Sequence, residues 1–96
     1  GGKQSYSEYI YDETFTCGTD KIIAVKTLLG LDSSVDLSVK YVQICVTGFG
    51  TAPVNPYFLW VEYDTGSDTS QFTIKSAGTT AYSMTAKISV KYVINT

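Results

Sequence analysis

Thirteen aromatic side chains are the residues best suited to chemistry in this chain, and the chemistry is binding. Eight tyrosines, four phenylalanines and one tryptophan are many for 96 residues. Tyrosine and tryptophan join an apolar face to a polar tip, which suits sugar rings and partner proteins alike. Most must fill a small core or cover sheet faces. Those with polar neighbours, Tyr6, Tyr9, Tyr57, Tyr63 and Tyr82, are the better surface platforms, because loops carry ligands more often than core faces do.

Catalysis is harder to assemble. The chain has no histidine, so the commonest general base and metal ligand are missing. No nucleophile lies near a base, and the chain reads as a non-enzyme. Asp12-Glu13 and Glu62 have no spacing that marks them as a glycosidase pair. Asp32 with Asp36 and Asp64 with Asp68 are the nearest approach to acidic clusters. Neither has the spacing of a calcium loop, so they read as turn formers, and no metal or other cofactor is expected. Cys17 and Cys45 form no zinc set without histidine. In a small domain they read first as a disulfide, with two buried free thiols as the alternative.

The charge balance narrows the partners. Seven basic and nine acidic residues give a net charge of -2, and all the basic ones are lysine. Nucleic-acid binding needs a clustered basic patch, usually with arginine, so that class is set aside. No apolar run approaches the ~20 residues that span a bilayer as a helix. The N-terminus carries no secretory signal pattern. The opening Gly1-Gly2 fits a processed product, or a domain cut from a larger extracellular or particle-bound protein. Hydrophobic residues at 44% with 17% charged suit one folded domain over residues 1–96.

The elements that must position these side chains are strands. Tyr9, Tyr11, Glu13 and Phe15 share one face of an opening strand. Cys17-Gly18-Thr19-Asp20 is a turn. Lys21 to Leu31 reads as a second strand, with a helical turn at Leu28–Leu31 as the alternative. Asp32 to Asp36 is a loop. Ser38 to Gly50 is the longest β-favouring run; its second half is apolar on both faces and predicts a central strand. A stiff Pro53–Pro56 loop leads to a strand over Tyr57–Asp64, then a turn and a short strand over Gln71–Lys75. From Met84 the even positions to Ile94 are all apolar, and Ser83, Thr85, Lys87, Ser89 and Lys91 take the odd ones, the pattern of a half-buried strand. Six short strands and no helical period predict an all-β fold, a small antiparallel sandwich.

The order of these features resembles the H-type lectins, the family of snail agglutinins, discoidin C-terminal domains and small octocoral lectins. The matching points are the strand ending in Phe15 with Cys17 after it, the strand ending in Leu31-Asp32, Thr47-Gly48-Phe49, and Tyr82-Ser83-Met84. The resemblance implies a six-stranded sandwich that forms trimers or hexamers and binds galactose or N-acetylgalactosamine between subunits. It implies a secreted or extracellular protein. Carried over, Gly2-Lys3-Gln4 stands where the family has Gly-x-Asp. Lys40 is the only cation near the family's arginine position. The family's aromatic falls on Ile74-Lys75, or on Trp60 if the gap is placed differently, and Tyr82 matches its tyrosine. In this reading Gln4 and Tyr82 bond sugar hydroxyls, Trp60 stacks on the ring, and Lys40 or Lys75 reaches in beside it. Gln4 and Lys40 replace an acid and an arginine, which removes two charge-assisted contacts of roughly 1.5–3 kcal/mol each. Tyr57–Asp64 stands as an insertion against the family, so a different site on Trp60, Tyr63 and Asp64 is the alternative. The competing expectation is a structural or adhesion module that binds no sugar.

Overall fold

The computed structural model describes residues 6–50, 55–63, 68–78 and 80–95, with the side chain of Tyr63 outside that description. Six strands and one short helix follow in order: β1 (Ser7–Thr16), β2 (Lys21–Ala24), α1 (Val25–Leu29), β3 (Leu37–Phe49), β4 (Tyr57–Tyr63), β5 (Gln71–Gly78) and β6 (Ser83–Ile94). They form two three-stranded antiparallel sheets, ordered β1-β6-β3 and β2-β5-β4. The protein is an all-β sandwich, as the alternating patterns predict.

The centre of each sheet is set by its cleanest alternation. Met84, Ala86, Ile88 and Val90 of β6 are all fully buried, and Phe72 and Ile74 of β5 face them from the second sheet. A strand flanked on both sides has its inner row buried along its length, and β6 and β5 show this most fully; the one polar member, Ser76 of β5, accepts the Gly18 N–H at 2.8 Å. The alternation of β6 holds to Val90 and then changes phase, because Val93 is buried while Ile94 is exposed.

Ser38–Gly50 is therefore not the central strand. β3 is an edge strand, paired with β6 alone. Its pairing shifts between Val39 and Tyr41 and again between Val46 and Gly48. The first irregularity puts Val42, Ile44 and Val46 toward the core and leaves Tyr41, Gln43 and Cys45 outside. The two-sided apolar character of the second half of this stretch comes from Tyr41 and Cys45 standing exposed outside while Val42, Ile44 and Val46 face the core, not from burial on both faces.

The Lys21–Leu31 strand also ends early. β2 has four residues, and Val25–Leu29 turn as a helix. Gly30 closes the helix in the left-handed region at φ 70°, and the Leu31 N–H donates to the Lys26 carbonyl at 2.8 Å, a glycine helix stop. The Lys26 ammonium then holds the following loop through the Ser33 and Val35 carbonyls at 2.8 and 3.1 Å. Val25 is fully buried, with Leu28, Leu29, Leu31 and Val35 packed against the core. This helical cap supplies apolar cover beside a sheet whose β2 is too short to supply it. β5 in turn runs past Lys75 to Gly78.

The strands of 10 to 13 residues in the first sheet make the molecule long, at 51 × 24 × 23 Å. No helix among the described residues is long and apolar enough to cross a membrane.

Candidate functional site

The two sheets turn different surfaces outward. On β1-β6-β3 the outer face mixes paired polar groups with exposed Ile10, Tyr41 and Ile94, one on each strand. Lys87 lies 3.7 Å from Asp12, and Ser89 donates to Glu8 at 2.9 Å. On β2-β5-β4 the outer face carries Ile22, Phe58 and Trp60, exposed to 61%, 68% and 42%. Alternation along β4 dictates this. Tyr57, Leu59 and Val61 point inward and pack on the core, so Phe58, Trp60 and Glu62 point outward.

Trp60 is the centre of a small polar ring. Its indole Nε1 donates to Glu62 Oε1 at 3.3 Å, two residues along the same strand. Across the ladder its partner is Lys75 of β5. The Lys75 ammonium lies 2.7 Å from Asp20 Oδ2 in the turn before β2. This bond to Asp20, with Glu62 adding its charge, raises the lysine above its ordinary pKa. The carboxylates of Asp20 and Glu62 thus hold the cation and the indole N–H, and Phe58 extends the apolar surface. Trp60 and Lys75, two of the sequence-predicted binding residues, stand side by side.

The other predicted residues do not join them. Tyr82 is 4% exposed. Its hydroxyl accepts the Asn55 backbone N–H at 2.9 Å, its ring meets Phe49 edge-on at 6.2 Å, and its carbonyl accepts from Cys17. Phe49 also meets Tyr57 edge-on at 5.7 Å. Tyr82 is a core residue that seals one end of the sandwich, which corrects its assignment as a sugar contact. An aromatic followed by an alternating strand has the same appearance in sequence whether its ring lies above the sheet or beneath it. Lys40 is exposed on β3, at the residue skipped by the first pairing shift and in the sheet opposite Trp60. Gly2 and Gln4 lie outside the described residues, as does Asp64.

The disulfide expectation is corrected too. Cys17 and Cys45 are free. Cys17 is buried at the end of β1, where its sulfur abuts the space beside Gly78. Cys45 points outward from the edge strand β3, opposite Lys87 of β6. The two thiols belong to opposite faces of one sheet with β6 between them, which no disulfide spans.

The remaining acids serve the backbone. Asp32 accepts the Ser34 N–H at 2.9 Å, and Asp68 accepts both the hydroxyl and the N–H of Ser70. These bonds hold both carboxyls below their usual range, since accepting a hydrogen bond favours the charged form. Asp36 accepts from the Asn95 amide. No group of three or more His, Cys, Asp or Glu among the described residues is placed to hold a metal ion. Among the described residues one buried side-chain polar atom has no partner: the Tyr11 hydroxyl, whose ring stacks on Tyr9 at 5.7 Å. Burial, aided by the charge of Glu13, pushes that phenol above its ordinary range.

Sequence reasoning missed the roles of Glu62 and Asp20 around the tryptophan. Glu62 stands two residues from Trp60, the same-face spacing of a strand, and that spacing was the available signal. The Asp20–Lys75 pair joins residues 55 apart, and only the β2–β5 register brings them together. No protein-family model matches the chain, and no curated protein or solved structure matches it.

Proposed function

We propose that the protein is a non-catalytic lectin that binds a galactose-type sugar on the outer face of β4 and β5. The observation that carries this reading is the exposed Trp60 ring with hydrogen-bonding groups fixed at its rim, Glu62 on one side and the Lys75–Asp20 pair on the other. A galactose ring has one apolar face, opposite its axial hydroxyl, and an aromatic plane suits that face. Carboxylate and ammonium groups beside the ring bond the hydroxyls at its edge, each at roughly 1.5–3 kcal/mol. The platform is open and shallow, so one site is weak. Several sites on one oligomer raise avidity by ~10²–10⁴. A lectin of this kind works outside the cell, on glycans.

The test is retention on immobilised galactose and N-acetylgalactosamine with release by free sugar. The single tryptophan gives a second readout, a change in its fluorescence on titration with either sugar. Trp60→Ala is expected to abolish retention with its circular dichroism unchanged. A folded wild-type protein that flows through both columns, with no fluorescence response, overturns the proposal. It then favours the second reading, a structural or adhesion module, for which the exposure of Ile22 and Phe58 on the same face speaks.

A further inference from the structure

The sandwich has four sheet edges, and they are not protected alike. An edge strand offers unpaired N–H and C=O groups to any other strand, and natural edges are blunted by charge, bulges, proline or shortness. β1 carries Glu8, Asp12 and Glu13, so pairing it with itself would gather acids. β2 has only four residues and begins with Lys21. β3 is irregular near both ends, with Lys40 at the first break. β4 has none of these devices. Between Tyr57 and Tyr63 it has no lysine, no proline and no break in its pairing with β5, and its one charge is Glu62.

The two flanks of the sandwich differ in the same way. At the β1/β2 flank an ion pair, Lys21 with Glu13 at 3.5 Å, links the sheets. At the β3/β4 flank a groove of about 330 Å³ lies between them, lined by Tyr41, Ile44, Leu59, Trp60 and Val61 among others. Ile44, Leu59 and Val61 are core-packing residues left only partly buried there. Aromatic and aliphatic surface with little charge is the composition of an interface core.

We propose that β4 pairs antiparallel with β4 of a second copy of this chain, about a two-fold axis at Trp60. That register uses all seven residues of the strand and joins the two β2-β5-β4 sheets into one of six strands. On the inner side it sets Leu59 beside Val61 of the second copy. On the outer side it sets the two Trp60 rings together and places Glu62 beside Phe58 of the second copy, so no like charges face each other. A flank as long as β4, ~23 Å at ~3.3 Å per residue, and as deep as the 24 Å molecule, covers roughly 550 Å² per copy. Two copies then bury about the 1,000 Å² in total that a specific interface needs. The contact does not depend on sugar binding, and its test uses no sugar.

Sedimentation velocity over a protein range of about 1–500 µM reads the assembly directly. The wild type is expected to move from one to two chain masses across that range, with its tryptophan emission changing as the two rings come side by side. Phe58→Glu changes a residue that is mostly exposed in the single chain, so the fold stays intact. It is expected to raise the dissociation constant at least ~10-fold, since it sets a second carboxylate directly opposite Glu62 of the second copy. Val61→Lys is expected to do the same from the inner side. Ile10→Lys, on the outer face of the other sheet, is expected to leave the assembly unchanged. A wild type of one chain mass throughout overturns the proposal. So does an oligomer of any number that survives folded Phe58→Glu, or one that Ile10→Lys disperses.

Discussion

The two sheets divide the work of this molecule between them. The β1-β6-β3 sheet spends its sequence on closure. Its central strand buries an unbroken inner row, and its outer face satisfies its own charges through Lys87–Asp12 and Glu8–Ser89. The β2-β5-β4 sheet is smaller and has an equally sealed centre at Phe72 and Ile74, yet its outer face leaves Ile22, Phe58 and Trp60 in water. Exposed apolar residues scattered singly need no explanation, and Ile10, Tyr41 and Ile94 on the first sheet are of that kind; Phe58 and Trp60 instead stand together on one edge strand, a surface with something to bind. The same alternation produces both surfaces. What differs is where the apolar residues left outside fall: one on each strand of the first sheet, two together on β4 of the second.

The contrast is broken most sharply at the thiols, where it predicts the largest effect. Cys45 lies outside and Cys17 inside the first sheet. A thiol reagent is expected to label Cys45 in the native protein at once. Cys17 waits for unfolding, so the two rates differ by ~10³-fold or more, as set by the opening equilibrium. Quantitative labelling of one thiol per folded chain, followed by the second in denaturant, is the expected record. No labelling before reduction would restore the disulfide.

The second break compares two isoleucines. Ile88 is fully buried on β6 and Ile22 is 61% exposed on β2. Ile88→Ala removes core volume and is expected to cost ~2–5 kcal/mol in urea unfolding. Ile22→Ala is expected to stay within ~0.5 kcal/mol. Equal losses at the two positions would show that the outer face of the smaller sheet is covered in solution, which the pairing of two chains through β4 alone does not predict.

Much of this was legible before any coordinates, for a physical reason. Period two along Met84–Val90 and along Tyr9–Phe15 survives into the structure because one face of each strand must be dry. The failures are places where phase changes inside a run. At Lys40 the pairing slips and the inward residues pass from Val39 to Val42; nothing in KYVQIC announces that slip. At Ala24 a strand becomes a helix: Val25, Leu28 and Leu29 have helical spacing, while Ile23, Val25, Leu29 and Leu31 also lie on the odd row of a strand, and so few residues do not separate the two periods. Of the binding residues, the Trp60–Glu62 pair was accessible to counting along one strand. The Lys75–Asp20 pair was not, because the β2–β5 register that joins it is set by tertiary packing.

Tyr82 separates the readings of sequence and structure with the smallest of the expected effects. In sequence it matches a sugar-contacting tyrosine. In the structure its hydroxyl accepts the Asn55 N–H within a part-buried site, and its ring supports Phe49. Tyr82→Phe keeps the ring and removes that acceptor, leaving a backbone donor without its partner. The expected cost is ~1–2 kcal/mol of stability, read from the denaturant midpoint at unchanged slope. Sugar retention at native temperature is expected to be that of the wild type, because Trp60, Glu62 and Lys75 lie on the other side of their sheet from the core that Tyr82 helps to fill. Loss of retention in a Tyr82→Phe protein of near wild-type stability would move the site away from the tryptophan face and to the end of the sandwich where Phe49, Tyr57 and Tyr82 meet.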